Sequence, residues 1–314
     1  MNKIKLYIPM KKLACLTGLW LLLISGCNPP AIDTQEAGDE DFTFAFLTDI
    51  HLMPELDAEA GFQKAIDTVN RLDPDFVITG GDLVKDALNQ TYGRSDSLFK
   101  LYIKMSEGFR MPVYNTIGNH DIYGWEREEE GIEKHPEYGK TMYEQRIGER
   151  YYSFDYKSWH FMLLDGMCHR ESGSYYGKID DEQIRWIRED LEKTGKETPI
   201  IVSTHIPFLT VQTQLEKGAL ASTPAHLAIE NSREVLLLFW EYNLKLVLQG
   251  HLHFLEDINV NDQVHFITGG AVSGQWWNTD PDYPVQEGFL LVHVRDGDFS
   301  WENVDLDWTP PGYR

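Results

Sequence analysis

Apolar residues along this chain fall into short β-rich runs that alternate with stretches of helical spacing. Residues 42–48 form the first run, and Ala58, Phe62, Ala65, Ile66 and Val69 then recur at the spacing that predicts a helix over 58–72. Asp73-Pro74 ends it, because a proline disfavours helical backbone in the residue before it. Residues 75–79 predict a second strand, 95–108 a helix capped by Ser95, and 112–117 a third strand. Residues 151–156 and 159–164, joined by Lys157-Ser158, predict a hairpin. Helices are expected over 141–147, 180–193 and 232–242, and strands over 199–203 and 244–248. The remainder, through Trp301, is β-rich, with turns at Asn261-Asp262, Gly269-Gly270 and Asp296-Gly297-Asp298. Residues 123–139 are charged and irregular and are expected as an exposed loop. Residues 208–228 lack a period and are expected as an insertion over a cleft. Strand followed by helix, repeated, predicts an α/β sheet with its chemistry at the carboxyl ends of the strands.

Composition changes that picture at the amino terminus. Lys3, Lys5, Lys11 and Lys12 precede a mostly apolar stretch over 13–24, and residues 1–26 contain no acid. The stretch is shorter than the ~20 residues needed to span a bilayer but suits a secretory signal. It ends Ile24-Ser25-Gly26-Cys27, which resembles a bacterial lipoprotein signal. The resemblance implies a signal peptide over 1–26, acylation of Cys27, and an exported protein held at a membrane by that lipid, on the periplasmic or cell-surface face. The alternative is an ordinary signal with a chance cysteine. Residues 27–41, with Pro29 and Pro30, read as a flexible tether to a domain over 42–314. With Cys15 in the leader and Cys27 acylated, Cys168 is left alone and is read as an idle thiol. Removing the leader's four lysines deepens the net charge from −22 to −26. Such a body repels long polyanions and excludes a general nucleic-acid binder. An anionic substrate needs local positive charge there, which bound metal could supply.

Candidate chemistry recurs just after the apolar runs: Asp49-Ile50-His51, Gly81-Asp82, Gly118-Asn119-His120-Asp121, His205 and Gly250-His251-Leu252-His253. Singly these mean little, since Gly-Asp is usually a turn. Together they offer carboxylate, amide and imidazole donors, a mixture suited to divalent manganese, iron or zinc. The lack of paired cysteines argues against structural zinc. The adjacent glycines are expected to turn the backbone so that each donor faces a shared point.

In this order and spacing the chain resembles the calcineurin-like metallophosphoesterase family over about residues 42–301. The resemblance implies an α/β (α+β) fold, two face-to-face β-sheets flanked by helices in a four-layer sandwich. It also implies a dinuclear-metal-dependent phosphoester hydrolase, in which water activated between two divalent ions attacks phosphorus in line with the leaving oxygen. Asp49, His51 and His253 would hold the first ion and Asn119, His205 and His251 the second, with Asp82 bridging both. His120 would be the catalytic residue at the substrate phosphate. Many relatives carry an aspartate where this chain has Lys85; the carboxylate comes one residue later, at Asp86. Asp86 and Asp121 are the candidates for orienting His120. The motif form looks nearer the branch containing bacterial cyclic-nucleotide phosphodiesterases than the protein phosphatases. A small phosphodiester is therefore the expected substrate. The alternatives are a phosphomonoesterase on a nucleotide or sugar phosphate, and a ligand-binding lipoprotein without turnover. Trp276-Trp277 is read as one ring in the core and one at the surface; the alternative is a ring stacked on a base or sugar. Tyr123 and Trp125 either shape specificity or pack their loop down, and Glu126, Glu128, Glu129 and Glu130 read as a solvated face.

Overall fold

The computed structural model of the chain describes residues 40–170, 174–278 and 287–308. The expected signal peptide, Cys27 and nearly all of the tether lie outside the described residues. β1 (Phe42–Leu47) leads through α1 (Ala58–Leu72) to β2 (Phe76–Thr79), and α2 (Tyr92–Ser106) leads to β3 (Val113–Asn115). After α3 (Thr141–Arg146) come the hairpin β4 (Tyr152–Tyr156) and β5 (Trp159–Leu164) and a small pair, β6 (Met167–His169) and β7 (Tyr175–Gly177). Next are α4 (Asp181–Thr194), β8 (Pro199–Thr204), α5 (Gln212–Lys217), α6 (Ser232–Leu238) and β9 (Asn243–Gln249). β10 (Glu256–Val260), β11 (Val264–Thr268), β12 (Gly288–Arg295) and β13 (Asp298–Asp305) complete the described chain.

Two larger sheets result, ordered β13-β12-β1-β2-β3 and β10-β11-β9-β8-β5-β4. Alternation along β1 explains how they meet, because successive side chains point to opposite faces. Phe42, Phe44 and Phe46 join Phe76, Ile78, Leu290 and Val292 from the first sheet and Phe161, Leu163, Ile201, Leu246 and Leu248 from the second in one buried cluster. That cluster is the layer between the sheets, and Phe44 stacks on Phe76 at 5.2 Å within it. The other faces carry Ala45, Leu47, Val77, Leu164 and Val202, which pack with Phe62, Ile66, Phe99, Ile184 and Ile187 of the helices. The central strands of both sheets are thus buried on both faces, which is why they read as nearly continuous apolar runs, whereas the edge strands β10 and β13 are largely exposed. β1, β2 and β3 are mutually parallel, as are β5, β8 and β9. Parallel neighbours end on the same side, so the loops that carry the polar motifs leave each sheet from one edge.

Three expectations change. The second helix begins at Tyr92 instead of residue 95: the Thr91 hydroxyl accepts the Arg94 N–H at 3.3 Å, and Ser95 is buried inside the helix. Residues 123–139 do not stand away from the body, since Tyr123 and Trp125 are buried and Tyr123 and Gly139 exchange two backbone hydrogen bonds. These aromatics pull the loop down while the four glutamates stay exposed. The helix from Ser232 stops at Leu238, and the chain turns there so that β9 can start at Asn243. The aperiodic 208–228 segment contains α5 and reaches the site through the backbone of His226.

Candidate metal centre

Asp49 and His51 follow β1, Asp82 follows β2, Asn119 and His120 open a single 3-10 turn after β3, His205 follows β8, and His251 and His253 follow β9. Backbone bonds tie these loops together: Asp49 N–H to Gly81 O at 3.0 Å, His51 N–H to Asp82 O at 2.9 Å, and Gly250 N–H to His205 O at 2.9 Å. Asp49, His51, Asp82, His251 and His253 all have left-handed backbone, with φ between 45° and 74°. Non-glycine residues adopt it at a cost of about 1–3 kcal/mol each and keep it only where the surroundings enforce it. The glycines act otherwise than expected at two positions. Gly118 has φ −109° and Gly250 is not among the positive-φ residues. A Cβ on Gly118 would lie 2.1 Å from the Asp82 nitrogen, and one on Gly250 would lie 2.1 Å from Thr48 Oγ1. These two glycines permit close approach; the sharp turns are made by the donors themselves.

Two groups of donors form. Asp49, His51 and His253 make one and Asp82, His205 and His251 the other, with the donor atoms of each group within 4.8 Å of one another. Asp82 Oδ2 lies 3.2 Å from His205 Nε2 and 3.6 Å from His51 Nε2, so one carboxylate oxygen faces both groups. Asn119 Oδ1 joins the second group, 3.1 Å from His205 Nε2.

The outer hydrogen bonds set the tautomers. His205 Nδ1–H donates to Gly80 O at 2.7 Å, His253 Nδ1–H to Gly274 O at 2.6 Å, and His251 Nε2–H to His226 O at 2.8 Å. Each ring therefore turns its lone-pair nitrogen inward, as second-sphere partners do around ligated metals. Inside, lone pairs meet lone pairs. His205 Nε2 faces the Asn119 and Asp82 oxygens, while His253 Nε2 lies 3.0 Å from His51 Nε2 and 3.3 Å from Asp49 Oδ1. Acceptors this close repel unless a cation sits among them. The donor set thus fits two divalent ions of borderline or hard character.

The charges agree. Burial would raise Asp49 and Asp82, but His253 beside the first and His205 beside the second hold both carboxyls well below their usual range. Burial opposes a proton on His205, yet the Asp82 carboxylate outweighs it and lifts the ring to about 9. Burial and the nearby His205 push His251 down to about 3. The cation-free centre therefore holds a proton on His205, where a metal would compete for the same lone pair.

His120 stands at the rim with its side chain 24% exposed and its Nδ1 3.3 Å from Asp86 Oδ1. Burial disfavours its charge, but Asp82 and Asp86 together raise its pKa. Asp121, the other candidate for orienting it, is turned elsewhere. Its oxygens accept the N–H groups of Leu83, Val84 and Gly118 at 2.9, 3.2 and 2.9 Å. Burial and the neighbouring Asp82 push its carboxyl up to about 7. The Thr48 hydroxyl donates to Asp49 Oδ2 at 2.6 Å, and Trp276 stacks on His51 with ring centres 3.7 Å apart. Thr48 was detectable only as the residue before Asp49. The carbonyls of Gly80, Gly274 and His226 carry no signal in side-chain identity.

A family model described as calcineurin-like phosphoesterase matches residues 42–255. A probable cyclic nucleotide phosphodiesterase from Psychrobacter arcticus is 24% identical over 244 residues, covering 71% of this chain and 77% of that protein. A human manganese-dependent ADP-ribose/CDP-alcohol diphosphatase is 24% identical over 299 residues, covering 72% and 80%. Among solved structures, a dimetal phosphatase from Danio rerio superposes with a TM-score of 0.61 at 13% identity, over 84% of this chain and 96% of that one. The Plasmodium inner-membrane-complex anchor GAP50 superposes with a TM-score of 0.54 at 15% identity, over 85% of each chain.

Proposed function

The chain belongs to the calcineurin-like phosphoesterase family, and from that premise we propose that this metal-dependent phosphoric ester hydrolase is a phosphodiesterase for small substrates. The observation that carries the reading is the position of Asp82 Oδ2 between the two donor groups, beside a rim histidine. Two ions held by those groups would supply positive charge to the phosphoryl oxygens and acidify a water. Asp49, His51 and His253 would hold one, Asn119, His205 and His251 the other, and Asp82 both. His120, its charge favoured by Asp86 and Asp82, offsets charge on the phosphate and donates a proton to the leaving oxygen. The cleft above is lined by Asp82, His120, His251, His253, Gln275 and Trp276.

The relatives' names support two substituents on the attacked phosphorus. A cyclic nucleotide and ADP-ribose both carry them, through ester or anhydride links. Manganese is the metal we favour, because the donors suit it and the human relative is named as dependent on it. Export and anchoring through Cys27 rest on the leader; no helix among the described residues is long and apolar enough to cross a membrane. Parallel assays with manganese test the activity. Faster turnover of bis(p-nitrophenyl) phosphate than of p-nitrophenyl phosphate is expected. A reversed order makes the protein a monoesterase, and no turnover of any ester in a wider panel makes it a binding protein. Anchoring is tested by Cys27→Ser, which should move the protein from the membrane to the soluble fraction.

A further inference from the structure

The turn at 272–277 lies past residue 255, where the family match ends, yet it reaches all three residues of the first donor group. The Ser273 N–H donates to Asp49 O at 3.2 Å, and Gly274 O accepts the His253 Nδ1–H at 2.6 Å. Trp277 is the core plug: it is buried, and its Nε1–H is shared between Ile50 O at 2.9 Å and His51 O at 3.2 Å. Trp276 takes the ring of that same histidine. Its indole lies on His51 with ring centres 3.7 Å and planes 25° apart, and stacks less closely on His253 at 5.5 Å. Lys85 Nζ stands 3.4 Å from the centre of the indole. Two groups this close to one ring centre occupy opposite faces, so Trp276 offers no free face to a base or sugar.

His51 differs from the other imidazoles in what holds it. His205, His251 and His253 each give an outer N–H to a carbonyl oxygen, which fixes both ring and tautomer. His51 turns Nε2 toward His253 and Asp82, which leaves Nδ1 outward, and that nitrogen is buried with no partner. No hydrogen bond therefore sets the plane of this ring; the indole does. Lys85, with Asp86 and Asp82 as its charged neighbours, backs the indole from the other side through a cation–π contact. The second group is supported elsewhere, by Gly80 O behind His205 and His226 O behind His251.

We propose that Trp276 is a positioning residue for the first metal ion, its stacking on His51 standing in for the outer hydrogen bond that this ligand lacks. The proposal rests on the two-ion reading above and goes beyond it, because it makes the two sites separately removable. Trp276 also meets the edge of the His120 ring at 4.8 Å, but that ring has its own partner in Asp86. Loss of the indole therefore falls on the first ion before it falls on the rim histidine.

Manganese titration of chelator-stripped protein, read by elemental analysis and by the EPR spectrum of the bound ions, tests this. Wild type should bind two ions per chain and show a coupled pair at saturation. In Trp276→Leu one of the two should bind about 10–100-fold more weakly, the usual cost of losing a ligand's outer support, and the spectrum at low manganese should be that of an isolated ion. Trp276→Phe, which keeps an aromatic face, should restore most of the affinity. Should Trp276→Leu fail to fold, Trp276→Met takes its place with the same expected loss. In an Asn119→Ala background, where the second group is the impaired one, adding Trp276→Leu should weaken the ion that is still held tightly. Unchanged affinities in Trp276→Leu overturn the inference, and so does an equal weakening of both ions, which would mark a structural role only. A tight ion that survives in the double variant overturns it as well. All three outcomes leave the two-ion reading standing, whereas a wild-type chain that binds fewer than two ions overturns both.

Discussion

At the scale of single residues, position relative to the donors separates function from support. His120 hydrogen-bonds the donor groups through its backbone N–H, 2.8 Å from Asp82 Oδ1, while its ring meets His51 edge-on at 5.2 Å and reaches the rim. His120→Ala should therefore keep its metal and lose about 10²–10⁴ in kcat, a general acid's share. Elemental analysis beside the rate checks both halves. Asp82 is the reverse case, since one of its oxygens faces both groups. Asp82→Ala should lose at least one ion per chain, and unchanged metal content would remove it from the bridging position. Asp121 supports from beneath. Its three buried N–H partners lose their acceptor in Asp121→Ala, at a cost of about 2–4 kcal/mol in urea unfolding, and Asp121→Asn should recover part of that. The identities of the grouped residues were readable because each followed a strand. Which carboxylate faces His120 was not, because Asp121 is its neighbour in sequence while Asp86 is 34 positions away, and only the folded loops turn Asp86 toward the ring.

Elements were readable where one physical signal dominated. The apolar spacing of α1 marks its bounds, and Asp180 caps α4 by accepting the Gln183 N–H at 2.8 Å. The start of α2 was missed because Thr91 and Ser95 are both good caps by composition, and the buried place taken by Ser95 is a tertiary fact. Thr91→Ala should cost about 1 kcal/mol, seen as a lowered melting temperature, and Ser95→Ala should not follow capping behaviour. The face-to-face pairing of the sheets was also invisible to periodicity, since strands buried on both faces do not alternate in polarity. Packing of α4 on the second sheet carries a pH signature. His160 of β5 bonds Asp190 of α4 at 2.9 Å and Asp155 of β4 at 2.7 Å. Burial opposes its charge, but the two carboxylates raise its pKa above the ordinary 6.5. Stability from the charged ring is therefore complete below about pH 6.5 and fades as pH rises through the raised value. Asp190, held below its ordinary 3.8 despite burial, adds stability that is lost only in acid. His160→Gln should cost about 1.5–3 kcal/mol at pH 5.5 and clearly less at pH 9, by urea unfolding.

Across the whole molecule, the centre joins loops from both sheets, so what occupies it bears on global stability. Without a cation, Asp49, Asp82, Asn119 and four inward-turned imidazoles crowd lone pairs together on seven residues, five of them with left-handed backbone, inside a strongly acidic chain. Ions that bind only the folded state stabilise it by about 2.7 kcal/mol per site at a hundredfold excess over Kd. At roughly 2–4 °C per kcal/mol for a domain of this size, two sites amount to roughly 10–20 °C between manganese-loaded and chelated protein. The gap should depend on pH in a definite direction. In the cation-free protein the ring of His205, lifted to about 9 by Asp82 against the effect of burial, carries a proton that eases the crowding. That contribution is complete below pH 6.5 and is lost as pH rises toward 9, so the chelated form weakens with rising pH. The loaded form moves the other way, because metal must displace that proton and binds more tightly as pH rises. The difference in melting temperature should accordingly widen from pH 6 to pH 8.5. A gap that is constant or narrows over that range would mean that the proton and the metal do not compete for His205.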